Sequence, residues 1–273
     1  MTVHPSLQSS IDAWTHSIEA VTELVTPLAE PEWNRATDCP GWSIRDVVSH
    51  IIGLECEALG DPRPIHSLPR DLYHVRSEFA RYMEVQVDVR RHHTAPEMLA
   101  ELEYTVIRRS RQLREEKRAP DAVVRSPIGE RTLEEALWLR AFDVWVHEQD
   151  LRRALGKPGS LDSPGAYVAR DTFLRGLPKV VAKDAGAPAG SAVVFDVSGP
   201  VEFMRTVRVD EQGNGTIDGS VSLGPLATIT TDWETYGRLA AGRVRAAAVT
   251  DQVKCDGDEA LCAAILENFA VTP

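Results

Sequence analysis

The 273-residue chain sets 30 Lys and Arg against 41 Asp and Glu, a net charge of −11, and its 43% hydrophobic and 26% charged residues suit a folded protein rather than a disordered one. Both parts are acidic, with 20 basic and 26 acidic side chains in residues 1–157 and 10 and 15 in residues 158–273, so neither offers the positive face a nucleic acid requires. No run approaches a membrane span and the N-terminal MTVHPSLQSS lacks a leader pattern, so a cytoplasmic protein without membrane partners is expected.

The first 157 residues read as helices. Ile11, Trp14, Ile18, Val21, Leu24, Val25 and Leu28 recur every three or four residues and predict a helix over 10–29. The turn Asp38-Cys39-Pro40-Gly41 leads into a second over 43–60, where Ser43 and Asp46 form a capping-box variant with the acid at the positive end of the dipole. Three prolines (62, 64 and 69) break the connector 61–94, although 72–89 has helical character. Two more helices follow, over 96–117 and over 132–155, the latter stopped by Gly156 and Pro158. Arg108, Arg109, Arg111, Arg114, Lys117 and Arg118 are interrupted by Glu115 and Glu116 and read as a solvated helix end.

Beyond a boundary near 160 a helix over 164–183 is followed by strand chemistry. Strands are predicted over 192–197, 203–209 and 226–231, with a hairpin turn at 210–215. Asp232 then caps a helix, and 258–269 closes the chain as another. The expectation is an all-helical four-helix bundle over 1–160 and a small α+β domain over 161–273. Cys39, Cys56, Cys255 and Cys262 include no Cys-x-x-Cys pair, so neither a disulfide framework nor a cysteine zinc knuckle is expected.

The chemistry concentrates on the fourth helix. With Asp143 at zero, His147 falls at about 40° and Asp150 at about −20° on a helical wheel, one narrow polar stripe that Arg140 extends, while Phe142, Val144, Trp145, Val146 and Leu151 are apolar. Helix geometry alone allows this stripe to face either solvent or the interior. His50, at the edge of the apolar stripe of the second helix with Gly53 permitting close approach of a neighbour, can face a core. An imidazole from one helix with a carboxylate and an imidazole at i,i+4 on another makes a three-ligand set for a divalent metal with open positions, zinc by default. His66, His74, His92 and His93 have no partners at ligand spacing.

Two blocks carry a family resemblance. Trp33 with Ala36-Thr-Asp-Cys-Pro-Gly-Trp-Ser-Ile-Arg-Asp-Val-Val-Ser-His50, and Asp143-Val-Trp-Val-His-Glu-Gln-Asp-Leu-Arg-Arg-Ala-Leu-Gly156, resemble the mycothiol-dependent maleylpyruvate isomerase family of the DinB-like superfamily. The resemblance implies a DinB-like four-helix bundle followed by a sterol-carrier-like α+β domain, and a divalent metal, zinc by default, on His50, Asp143 and His147. The archetypal isomerase has a glutamate where this chain has Asp143, which leaves open whether Asp150 competes as a ligand. The implied chemistry is a metal that activates the thiol of mycothiol toward a small electrophilic substrate, in an isomerase or a thiol S-transferase acting as monomer or homodimer. It also implies that Arg238 or Arg243 binds a substrate or cofactor carboxylate and that Arg90 contacts the cofactor. The rival readings are a metal-dependent hydrolase on the same bundle and a non-catalytic small-ligand-binding protein.

Overall fold

The structure, a computed structural model, describes residues 3–220 and 224–272, so Met1 and Thr2 of the N-terminal segment lie outside it. The chain divides between Gly159 and Ser160 into two compact units.

In the first unit, α1 (Pro5–Val25) starts earlier than apolar periodicity suggests, because His4 accepts the Ser6 N–H and Pro5 sits at a position whose own N–H needs no partner. It also ends earlier, just ahead of Pro27, which has no N–H to extend the ladder. A 3-10 turn, Glu30–Asn34, buries Trp33. In the capping box of α2 (Ile44–Leu59), Asp46 Oδ2 accepts from the Ser43 N–H and hydroxyl, both at 2.8 Å. Gly60 ends α2 in the left-handed region, with φ 87°. The connector is helical only over α3 (Glu78–Asp88), which Ser77 caps. Thr94 and Glu97 box the start of α4 (Ala95–Arg114). That helix stops short of Lys117 because the Glu116 carboxylate turns back onto the N–H groups of Lys117 and Arg118, at 3.0 and 2.9 Å.

Sequence reading misses the next element, an antiparallel hairpin of β1 (Val123–Ser126) and β2 (Gly129–Thr132). Its strands are four residues long and largely exposed, too short and too polar for alternation to register. The 23-residue α5 (Leu133–Leu155) is capped by Thr132 and ended by Gly156 at φ 64°. Helix α1 packs along α5 and α4, while α2 packs on α3, α4 and α5. Trp14, Ile18, Val21, Val47, Ile51, Leu102 and Val144 are buried between them.

The contact between α2 and α3 is tight at Gly53, where an added Cβ would come within 2.5 Å of the buried Gln86 Cβ. Gly53→Ala is therefore expected to destabilise the protein. Overpacking costs about 1–3 kcal/mol, whereas the helical preference for alanine returns about 1 kcal/mol or less. A urea midpoint at or above that of the wild type would contradict the close approach.

The second unit opens with α6 (Pro164–Lys179), which converts at Val180–Asp184 into a π turn. Pro178 explains the conversion, since it lacks an N–H and its ring clashes with a carbonyl one turn back. A five-stranded sheet follows, of β3 (Ala192–Ser198), β4 (Phe203–Val209), β5 (Gly215–Asp218), β6 (Ala227–Asp232) and β7 (Val253–Gly257). The spatial order is β5-β4-β3-β6-β7, with only the β3/β6 pair parallel. Strand β7 has no sequence forecast, because Lys254 and Asp256 interrupt its apolar character. Asp232 caps α7 (Trp233–Ala240) and Asp258 caps α8 (Glu259–Glu267). Phe173, Phe203, Trp233, Tyr236 and Phe269 form the aromatic core. Among the described residues no helix is long and apolar enough to cross a membrane.

Candidate metal centre

The middles of α2 and α5 bring His50, Asp143 and His147 together. One potential ligand atom from each lies within 4.8 Å of the other two. His50 and His147 are 3% and 4% exposed, whereas the Asp143 side chain keeps partial access to solvent. The polar stripe of α5 thus faces inward. His50 Nε2 is 3.3 Å from Asp143 Oδ2, and His147 Nε2 is 3.8 Å from Asp143 Oδ1. The two imidazole centroids are 4.8 Å apart.

Two of the three donors, His147 and Asp143, are held from behind. His147 Nδ1 is 3.0 Å from Asp150 Oδ2. Asp150, fully buried, also accepts from Arg153 at 2.9 Å, and Arg153 in turn pairs with Asp38. Asp150 therefore meets the Nδ1 side of His147, while Asp143 meets the Nε2 side. Asp150 belongs as well to a second close group, with Cys39 and His147. Asp143 Oδ2 accepts from Arg140 Nη1 at 2.7 Å. The Trp42 ring lies 5.0 Å from the His50 ring and 5.8 Å from that of His147, and its indole N–H donates to Glu84 Oε2 at 3.0 Å. Glu84 is itself buried and paired with Arg91 and His74.

The electrostatics favour metal-ready protonation states. Burial pushes the His50 imidazole below its ordinary value, against the pull of Asp143. Burial works to raise the Asp143 carboxyl, but Arg140, then His50 and His147, hold it well below the usual carboxylate range. Burial thus favours the neutral form of His50 beside an ionised Asp143 carboxylate, the forms a borderline divalent cation takes as ligands. Tetrahedral ligands about 2.0–2.1 Å from zinc stand about 3.3–3.4 Å apart, a spacing that the 3.3 Å between His50 and Asp143 meets and the 3.8 Å between His147 and Asp143 exceeds. His50 Nδ1 is buried with no hydrogen-bond partner, whereas His147 Nδ1 faces a carboxylate as metal-binding histidines commonly do. The residues present fit a divalent metal.

The sequence block from Ala36 to His50 contains Trp42 but gives no sign that its ring would cover both imidazoles. Glu55 and Glu84, which anchor Arg140 and Trp42, carry no sequence signal either, since each is an ordinary glutamate in an amphipathic helix. Arg90, the expected cofactor contact, is buried just after α3. Its guanidinium is spent on Glu101, at 2.8–3.0 Å, and on the Gln86 carbonyl and side chain. Arg238 lies on α7 and Arg243 just after it, both half-buried, with the Arg243 N–H bonded to the Arg238 carbonyl at 2.8 Å.

The family model described as "Mycothiol maleylpyruvate isomerase N-terminal domain" matches residues 14–152, a span that contains all three donors. The chain belongs to this family. A crystal structure of the mycothiol-dependent maleylpyruvate isomerase is similar over 94% of this chain and 96% of its own, at 17% identity and a TM-score of 0.58. A histidine-to-alanine mutant of that isomerase matches over the same shares at 17% identity and a TM-score of 0.57. At such identity the likeness speaks for the fold. Two sterol carrier protein 2 structures, from Aedes aegypti and Yarrowia lipolytica, cover 36% and 38% of the chain and 94% and 91% of their own, at 18% and 19% identity. Their TM-scores of 0.29 are too low to assign the second unit to that fold. No curated protein matches the chain.

Proposed function

We propose that this member of the maleylpyruvate isomerase family is a metal- and mycothiol-dependent enzyme, an isomerase or thiol S-transferase acting on a small electrophile. The observation that carries the reading is the convergence of His50, Asp143 and His147 within 4.8 Å inside the span matched by the family. In this reading the first unit is a DinB-like four-helix bundle with α3 as an addition to it, and the second unit is a sterol-carrier-like domain. Arg238 and Arg243 are proposed to bind a substrate or cofactor carboxylate, a task suited to a planar guanidinium fork.

When bound, a divalent ion such as zinc would supply a local positive charge that lowers the pKa of the cofactor thiol. The protein's own side chains prepare for it. Asp150 fixes the His147 tautomer by accepting a hydrogen bond from Nδ1–H, which leaves the Nε2 lone pair free to ligate. Arg140 keeps Asp143 ionised at neutral pH. Trp42 covers the imidazole faces and limits the approach of water.

The test is calorimetric. Free thiols ionise near a pKa of about 8.5, so mycothiol bound as thiolate at pH 7 must release a proton. Titration in two buffers of different ionisation enthalpy should count close to one proton per thiol in zinc-loaded protein and none in His50→Ala. Turnover of maleylpyruvate or of a haloaromatic should occur only with mycothiol present. A proton count near zero in loaded wild type, or ester cleavage without thiol, would replace this reading with the hydrolase.

A further inference from the structure

Behind the donors, and outside the reaction as proposed, lies a cluster of four buried groups. Glu55, on α2 and 1% exposed, accepts at Oε1 from Arg140 Nη2 at 2.7 Å, Arg140 Nε at 3.1 Å and Trp14 Nε1 at 2.8 Å. Its Oε2 accepts from Arg109 Nε at 3.0 Å. Arg109 and Arg140 are 5% and 8% exposed. Arg140 turns its remaining arm, Nη1, onto Asp143 Oδ2 at 2.7 Å. One guanidinium thus spans two carboxylates, one in the core and one in the donor set.

Two features argue that this is more than core stability. Glu55 alone does not balance the two guanidiniums: Asp143 supplies a second negative charge at Arg140, and Glu116 acts on Arg109 through space. Burial of a net charge is costly, so Asp143 is tied electrostatically to Glu55. Secondly, Arg140 is a potential competitor for the Asp143 carboxylate. A guanidinium whose charge is shared with Glu55 attracts Asp143 less strongly than one with no other partner. Two bonds from Glu55 also fix a side chain that is otherwise rich in rotamers, and so fix the direction from which it meets Asp143.

We propose that Glu55 is a positioning residue for the metal centre, acting through Arg140 to orient the Asp143 carboxylate toward His50 and His147 and to keep it available to a cation. The proposal rests on the metal-site reading above. Loss of the Glu55 charge leaves Arg140 to Asp143 alone and frees its guanidinium to move.

Cobalt(II) serves as the probe, with affinity measured by chelator competition and ligand geometry by visible absorption. Glu55→Gln should bind cobalt about 10- to 100-fold more weakly, the range for groups that support metal ligands, with a changed absorption band in a protein whose circular dichroism is native. Trp14→Phe removes a hydrogen bond to the same oxygen without changing charge and should bind cobalt as wild type does. If Glu55→Gln does not fold, Arg140→Lys carries the test, since lysine keeps the charge but does not bridge both carboxylates, and the same weakening is expected. Wild-type cobalt binding in the folded variant, or equal weakening in Trp14→Phe, would overturn the positioning role. Asp143→Asn separates the two levels: undiminished cobalt binding there would remove the metal-site reading and the proposal with it, whereas a loss there with none in Glu55→Gln would overturn the positioning role alone.

Discussion

Replacing His147 with alanine is expected to reduce bound divalent metal from about one ion per chain to near none, and His50→Ala should do the same. Each removes one of three protein donors, and a two-donor remnant holds a divalent ion far more weakly than a closed three-donor set. Plasma mass spectrometry of the purified variants gives the answer directly. Asp150→Ala is the informative contrast. Its carboxylate meets His147 on the Nδ1 side, so its loss should leave metal bound but weaken it about 10- to 100-fold. Unchanged metal content in both histidine variants would refute the site, and complete loss in Asp150→Ala with retention in Asp143→Ala would move the carboxylate ligand to Asp150.

The second large effect is on stability. Glu55→Ala should cost about 3–5 kcal/mol, the range for removing one partner from a buried ion pair, because Arg109 and Arg140 would keep their charges in the core without their shared counter-ion. The effect depends on pH with a definite sign. Burial works to raise the Glu55 carboxyl, but Arg140 and Arg109 outweigh it and its folded-state value lies below the ordinary 4.5. Its contribution is therefore fully present above pH 4.5 and is lost as the pH falls through the lowered folded value. Urea unfolding at a series of pH values should show the gap between wild type and Glu55→Ala constant from neutral pH to about 5, then narrowing in acid. A gap that stayed constant throughout would mean that the carboxylate charge contributes nothing.

Much of the architecture is legible because repeating patterns report it. The helical periodicity of α2 and α5, the Ser43 cap, the Gly156 stop and the alternation in β4 locate these elements to within about a residue or two, the usual uncertainty of helix ends. What escapes has physical reasons. Hairpin β1/β2 and strand β7 are held by backbone pairing and carry exposed polar side chains, so their hydrophobic pattern is weak. Spacing places Asp143, His147 and Asp150 on one face of α5, but only the fold shows which side of His147 each acid takes. Glu55 is the harder case. A glutamate in an amphipathic helix reads as solvent-facing, and its burial depends on Trp14, Arg109 and Arg140, each from a different helix.

The donors are also unevenly spread along the chain. Asp143 and His147 are one helical turn apart, but His50 lies 93 residues from Asp143. Closing a flexible loop of that length costs about 4 kcal/mol from its length dependence alone, so an ion that meets the unfolded polypeptide finds at most the local pair on α5. The third donor arrives only when α2 and α5 dock, after the sequence up to α5 has been synthesised. In the proposed metal-site reading, capture of the ion is thus a late event in the folding of this unit, a seal placed on an assembled core rather than a nucleus around which the core condenses.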